Sequence, residues 1–179
     1  MTQEPPDNAH LHFWSFIDHA VDRASRELPD LDPLAMRLLL TLHRAANMVV
    51  YDLESTVHRP RGWSWPGFRV LFAIWLSGPV EAKKVAELSG MSRAAVSALV
   101  NTLERDGLVS RERAPYDGRA VQLRLTEQGR QAITTAFQAH NEREQDWAGS
   151  LSAEEQQTLI DLLGKLTAPS AYFDARHRT

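Results

Sequence analysis

The chain contains no cysteine. That excludes disulfides, thiolate metal sites and any mechanism built on a nucleophilic or redox-switching thiol. No hydrophobic run approaches the roughly 20 residues that span a bilayer, and the apolar stretch from Val70 to Leu76 reads as a core helix. The first ten residues, MTQEPPDNAH, carry no basic segment followed by an apolar one, which predicts a cytoplasmic protein without a signal peptide. Neither sign of charge dominates. The 20 Lys and Arg face 23 Asp and Glu, a formal net charge of −3, which taken alone speaks against a surface saturated with nucleic-acid contacts. There is no Gly-rich phosphate loop, no Gly-x-Ser-x-Gly elbow and no metal-protease motif. With its carboxylates spread over solvated helix faces, the chain is not expected to be an enzyme or to hold a cofactor.

What is present is helical periodicity over most of 179 residues. Phe13, Phe16, Ile17, Ala20, Val21 and Ala24 fall on one helix face, predicting an amphipathic helix over 10–28 that ends at Leu28-Pro29. Asp32-Pro33 opens a second helix running to about Val57, with an apolar stripe from Leu34 through Leu38, Leu42, Val49 and Leu53. At roughly 35–40 Å it is longer than a small domain needs for itself, so a partner surface is expected. A loop over His58–Gly67 precedes a helix from Phe68 to Ser77. A further helix over Val80–Leu88 leads through Ser89-Gly90-Met91 to a helix that Ser92 caps and Gly107 stops. Two short β segments, Val109–Arg113 and Ala120–Leu125, flank the turn residues Pro115-Tyr116-Asp117-Gly118. Thr126 caps a long helix to about Trp147, where Phe137 and Trp147 read as dimer-core residues. Ser152-Ala153-Glu154-Glu155 is a capping box for the last helix.

A helix–turn–helix followed at once by a β-hairpin is a winged helix. The fold class is therefore mainly α, a winged helix-turn-helix with flanking long helices forming a dimerisation domain. The expected division is a disordered N-terminus over 1–9 and N-terminal helices over 10–66 for dimerisation and a ligand pocket. A DNA-binding domain over 67–126 and C-terminal dimerisation helices over 127–179 complete it.

The second helix of such a motif enters the major groove. Val96, Leu99, Val100 and Leu103 form the face that packs inward, which leaves Arg93, Ala94, Ser97 and Asn101 facing out. Arg grips guanine bidentately, Asn grips adenine, and an Ala methyl meets the thymine methyl. Ser92 leaves the helix N-terminal amides near a phosphate. The hairpin adds Arg111, Arg113, Arg119 and Arg124. Asp117, two residues before Arg119, is placed to orient that guanidinium for the minor groove. Residues 78–130 hold nine Lys and Arg against seven Asp and Glu, net +2, leaving −5 for the rest of the chain. The positive charge lies where the motif is.

Two other groups of residues invite a reading. His10, His12, His19, His43, His58 and His140 show no metal-ligand spacing and are expected to be solvated or helix-surface residues. Trp63, Trp65 and Phe68 cluster at a helix entry, either as a core or interface anchor or as an aromatic pocket wall together with Trp14, Arg44 and Arg69. A winged helix also serves protein–protein contact or constitutive DNA binding without any ligand. Salt-dependent, sequence-selective DNA binding separates these roles.

The run Val80-Glu81-Ala82-Lys83-Lys84-Val85-Ala86-Glu87-Leu88, then Met91-Ser92-Arg93, then Leu103-Glu104-Arg105-Asp106-Gly107-Leu108-Val109 resembles the MarR family of winged-helix regulators. So does Asp117-Gly118-Arg119-Ala120-Val121 leading into Leu125-Thr126-Glu127-Gln128-Gly129, and the resemblance covers about Leu34 to Leu166. It implies a homodimer with interleaved terminal helices on double-stranded DNA with a pseudo-palindromic operator. It also implies a small, often aromatic effector that releases the DNA. Ala94, Ala95 and Ala98 stand where the family commonly has Ser, Thr or basic residues, which shifts readout toward Arg93, Ser97, Asn101 and the wing. The N-terminal helix is similar to that of the urate-responsive branch, with Trp14 as counterpart of its pocket Trp. Where that branch carries an acidic residue this chain has Arg69, which suits a carboxylate ligand instead.

Overall fold

The computed structural model describes residues 11–113 and 121–168. The chain divides into two compact units between Tyr51 and Asp52.

The first unit holds α1 (Phe16–Glu27) and most of α2 (Pro33–Leu53). The helix expected from residue 10 begins only at Phe16, and Trp14 stands in the turn before it. Local side-chain bonds explain the late start. The His12 amide donates to Ser15 Oγ and the Ser15 amide to the His12 ring, offering the backbone an alternative to the helical ladder. Asp32 caps α2 as its sequence predicts, accepting from the amides of Leu34 and Ala35 at 3.0 Å.

Regular α-helix ends at Leu53, four residues before the expected Val57. A π-helical turn, Glu54–His58, and a 3-10 turn, Arg59–Arg61, follow, where the sequence pattern suggested helix and then loop. Ser55 and Thr56 both donate their hydroxyls to the Asp52 carbonyl, competing with the ordinary i−4 acceptor. In the second unit α3 (Trp65–Ser77) starts earlier than Phe68 because Ser64 caps it through the Gly67 amide. Pro66 fits the first turn, where no N–H is needed.

Val80–Glu81, expected as helix, is a short strand β1, and α4 (Ala82–Ser89) follows it. β1 pairs antiparallel with β3 (Val121–Leu125), which pairs in turn with β2 (Val109–Arg113). The wing is therefore rooted in a three-stranded sheet of order β1-β3-β2 and not in a lone hairpin. The β-branched Val80 buries its side chain opposite Leu123, a tertiary gain that helical periodicity cannot register. On β3, Leu123 and Leu125 are buried, whereas Val121 is half exposed. Helix α5 (Arg93–Arg105) lies between α4 and β2, and α6 (Glu127–Ala148) and α7 (Ala153–Thr167) close the chain. Leu71, Ile74, Val85, Val96, Val100, Leu123 and Ile133 are fully buried and form the centre of this unit's core. Thr126 and Ser152 cap α6 and α7, the latter through the expected capping box. No helix among the described residues is long and apolar enough to cross a membrane.

One close approach fixes where α6 leaves the sheet. A Cβ built on Gly129 would fall 1.9 Å from the Leu108 carbonyl oxygen, which is backbone and cannot swing aside. Gly129→Ala is expected to destabilise the protein by about 3 kcal/mol, the scale of a severe overpacking. Urea denaturation checks it, and an unchanged midpoint would show that the packing there yields.

Candidate nucleic-acid interface

The helix–turn–helix is built as its sequence implies. Gly90 ends α4 in the left-handed region, with φ of 63°, a conformation that costs a residue with a Cβ. Ser92 then caps α5 by accepting from the Ala95 amide at 3.2 Å. Val96, Val100 and Leu103 are buried and Leu99 packs partly against the core. The opposite face therefore presents Arg93, Ala94, Ser97 and Asn101 to solvent, as expected from their spacing. Arg93 makes no ion pair among the described residues.

Two of the wing arginines have carboxylate partners within the chain. Arg111 is captured by α5: it donates to a carboxylate oxygen of Glu104 and, at 2.7 Å, to Asn101 Oδ1. Arg124 pairs with Glu112 across the ribbon at 3.1 Å. Arg113 is exposed at the outer end of β2, opposite Val121. Asp117 and Arg119 lie outside the described residues.

The four residues expected around a ligand fall in both units. Trp14 is 70% exposed and meets Phe13 edge to face. Arg44 places its guanidinium 4.4 Å from the Phe13 ring centre and donates to the Phe13 carbonyl. Both lie in the first unit, and Arg44 lines a recess there. That recess, of about 490 Å³, is lined by Phe13, Phe16, Leu40, His43, Arg44, Asn47, Met48 and Tyr51, but not by Trp14. Sequence reasoning missed Tyr51 and His43 because α2's apolar stripe drew attention to its leucines. In the second unit Trp65 stacks near His140, Phe68 and His58, and Trp63 and Phe68 are buried, so this cluster is a core anchor. Arg69 donates to the Ser89 carbonyl, bracing α3 against the end of α4.

Two histidines expected at the surface are buried. His58 and His140 face one another with ring nitrogens 3.2 Å apart, and His140 Nε2 lies 3.1 Å from Glu144 Oε1. With the carboxylate accepting from His140 Nε2, the His140 Nδ1 lone pair accepts the proton of His58 Nε2. His58 Nδ1 is then an acceptor that no group meets. Burial among Phe68, Trp65 and His140 lowers the His58 pKa to about 4; His140 and Arg61 add to that effect and Glu54 opposes it. Nearby, Asp52 accepts two bonds from Arg143, at 2.6 and 3.0 Å, and one from Trp147 Nε1 at 2.7 Å. Those hydrogen bonds hold its carboxyl below the usual range. Trp147, expected in a dimer core, thus has an intrachain partner, and Phe137 stacks on Phe72 and lies tilted against Trp75.

A family model described as "MarR family" matches residues 63–121, the segment that carries this geometry. The HTH-type transcriptional regulator YwaE of Bacillus subtilis is 30% identical over 132 residues, covering 74% of this chain and 77% of the relative. Among solved structures, the transcriptional repressor CouR bound to a 23-mer DNA duplex is 26% identical with a TM-score of 0.68, covering 76% of this chain and 98% of CouR. PcaV of Streptomyces coelicolor, a transcriptional regulator in complex with its natural ligand, is 26% identical with a TM-score of 0.59, covering 73% and 89%. Fold and relatives define a winged-helix, DNA-binding transcriptional regulator and not an enzyme. The chain belongs to the MarR family. Nothing in these likenesses singles out the urate-responsive branch.

The His58 geometry fixes a pH response. The unfolded imidazole takes up a proton near pH 6.5 and the folded one only near 4, so the unfolded state binds more protons in between. Stability is therefore greatest above that window and falls as pH drops from about 6.5 to 4, by up to roughly 3 kcal/mol from this residue. His58→Gln, which keeps a donor toward His140 but does not titrate, is expected to flatten the urea midpoint across that range. An identical slope in wild type and variant would remove His58 as its source.

Proposed function

We propose that the protein is a homodimeric, cytoplasmic repressor whose winged helices read a pseudo-palindromic operator and are released from it by a small aromatic or carboxylate effector. The observation that carries the reading is the exposed row Arg93, Ala94, Ser97 and Asn101 on a helix whose other face is buried. Arg93 suits guanine O6 and N7, and Ser97 and the Ala94 methyl add shape and a methyl contact. Ser92 keeps its hydroxyl proton for a phosphate while its oxygen caps α5. Arg113, with Asp117 and Arg119 beyond it, supplies the wing's minor-groove reach. In this division residues 67–126 read DNA, and 10–66 and 127–179 dimerise.

Two features favour dimerisation. No residue of α7 is buried, although it carries Leu159, Ile160, Leu162 and Leu166. α2 likewise exposes Leu34, Leu38, Leu39 and Tyr51. Large apolar patches of this kind mark interaction surfaces. For the effector, the recess between α1 and α2 combines aromatic and aliphatic walls with Arg44, a cation suited to a carboxylate. PcaV's complex with its natural ligand is in keeping with that role. Trp14, Trp65 and Arg69 stand outside this recess, so Arg44 is the member of the expected set that carries the proposal.

Capture of genomic fragments, then titration of the selected duplex, tests the reading. Arg93→Ala is expected to weaken operator binding by about 1–3 kcal/mol and non-specific binding far less. Equal losses on both DNAs would reduce Arg93 to a phosphate contact. In a panel of aromatic acids and phenols, the acid that releases wild type should fail on Arg44→Ala bound to the same duplex. Release of both proteins alike would place the effector elsewhere. Sedimentation at micromolar concentration should show a dimer, and a monomer would refute the oligomeric reading.

A further inference from the structure

Asn101 is an outward residue of α5 whose side chain is held by the wing, and the way it is held determines what it offers a base. Asn101 and Glu104 lie three residues apart on the same helix face. The chain reverses after α5, with the Leu108 amide bonded back to the Leu103 carbonyl at 2.9 Å, and β2 returns Arg111 toward that face. Its guanidinium forks between them, one Nη donating to Glu104 Oε2 and the other, at 2.7 Å, to Asn101 Oδ1. Arg111 and Glu104 are each only about a third exposed, so the pair is sheltered from full solvent competition. A guanidinium has donors and no acceptor, which leaves the Asn101 carboxamide one orientation: oxygen to the wing, amino group outward.

We propose that Arg111 is a positioning residue for base selection, which turns Asn101 from a bidentate adenine reader into a donor-only reader that favours guanine. Bidentate adenine recognition needs the carboxamide oxygen to accept from N6 while the amino group donates to N7. Arg111 occupies one lone pair of that oxygen and holds it on the wing side, so that the amino group is the end of the carboxamide turned outward. Guanine presents two acceptors, N7 and O6, to it; adenine presents one acceptor beside a donor that would go unmet; cytosine presents only a donor. The order of preference at the base facing Asn101 is therefore guanine, with two acceptors, then adenine and thymine, with one acceptor each, and cytosine rejected. Glu104 sharpens this by holding the guanidinium through a charge-assisted bond that neutral groups do not match.

This inference rests on the reading that Asn101 meets a base, and its test separates the two. The probe is a duplex selected from captured genomic fragments, resynthesised with each of the four base pairs at every operator position. Affinity ratios between bases, rather than absolute affinities, are compared for wild type, Asn101→Ala, Asn101→Asp, Arg111→Ala and Arg111→Gln. Wild type should favour guanine over adenine by about fivefold at one pair per half-site, the worth of one hydrogen bond. Arg111→Ala frees the carboxamide oxygen and should reverse that order in favour of adenine at the same pair. Arg111→Gln, which cannot span both partners, should do the same if Arg111→Ala fails to fold. Asn101→Asp keeps the acceptor for Arg111 but has no donor, and should lose the guanine preference. Unaltered base ratios in Asn101→Ala at every position would overturn the reading that this residue meets a base. Ratios that change in Asn101→Ala but keep the wild-type order in both Arg111 variants would overturn the positioning role alone.

Discussion

The junction between Gly107-Leu108 and the start of α6 is the constraint on which the DNA-reading unit depends. Thr126 donates its hydroxyl to the Gly107 carbonyl at 2.6 Å and accepts from the Gly129 amide at 2.9 Å, while its own amide donates to the Leu108 carbonyl at 3.1 Å. Gly129 lets that carbonyl come so near that no Cβ would fit. These contacts join the end of the recognition helix, the root of the wing and the first turn of α6 in one hydrogen-bonded knot. The chain between Leu108 and Thr126 is thereby closed at its base, whatever its tip does. The knot also gives a physical reason for the paired signatures Asp-Gly-Leu-Val and Leu-Thr-Glu-x-Gly: they are the two sides of one contact, and each is of little use without the other.

Features decided within a few residues were legible in the sequence. Asp32, Ser92, Thr126 and Ser152 cap the helices they were expected to cap, because a cap is a bond across three positions. The outward row of α5 was legible for the same reason, since helical spacing alone sorts its faces. What escaped was decided by distant partners. Val80 looks helical until Leu123 is placed opposite it. His58 and His140 look like surface residues because polar side chains usually are, and their burial depends on a partner 82 positions away. The tie of Arg111 to Asn101 and Glu104 likewise requires the wing to fold back on α5. The recess beside Arg44 escaped because Phe13 and Tyr51 are neighbours only once α1 lies along α2.

The charge arithmetic changes meaning once partners are known. A net of +2 over residues 78–130 suggested a basic lobe, yet Lys84, Arg105, Arg111 and Arg124 each have a carboxylate within the chain. Such pairs are weak contributors to stability at an exposed surface, but they lower the charge that a phosphate lattice senses. Lys83, Arg93, Arg113 and Arg130 make no ion pair among the described residues.

Helix α3 joins this lobe to the polar interior. Near its start, Trp65 and Phe68 pack on the buried His58–His140 pair; one residue further, Arg69 braces the Ser89 carbonyl just ahead of the Gly90 turn. Two kinds of polar cluster sit close together on α6. Asp52 with Arg143 and Trp147 is ionic and partly open to water, where charge is tolerated. The histidine pair is enclosed by aromatic rings, where an added proton would leave a cation without a counter-charge at the His58 Nδ1 side. Stability of the α3–α6 contact therefore rests on His58 staying uncharged. The turn that sets the angle of the recognition helix is braced by the residue next to Phe68, so the contact with the histidines and the brace on the turn share a single rigid helical turn.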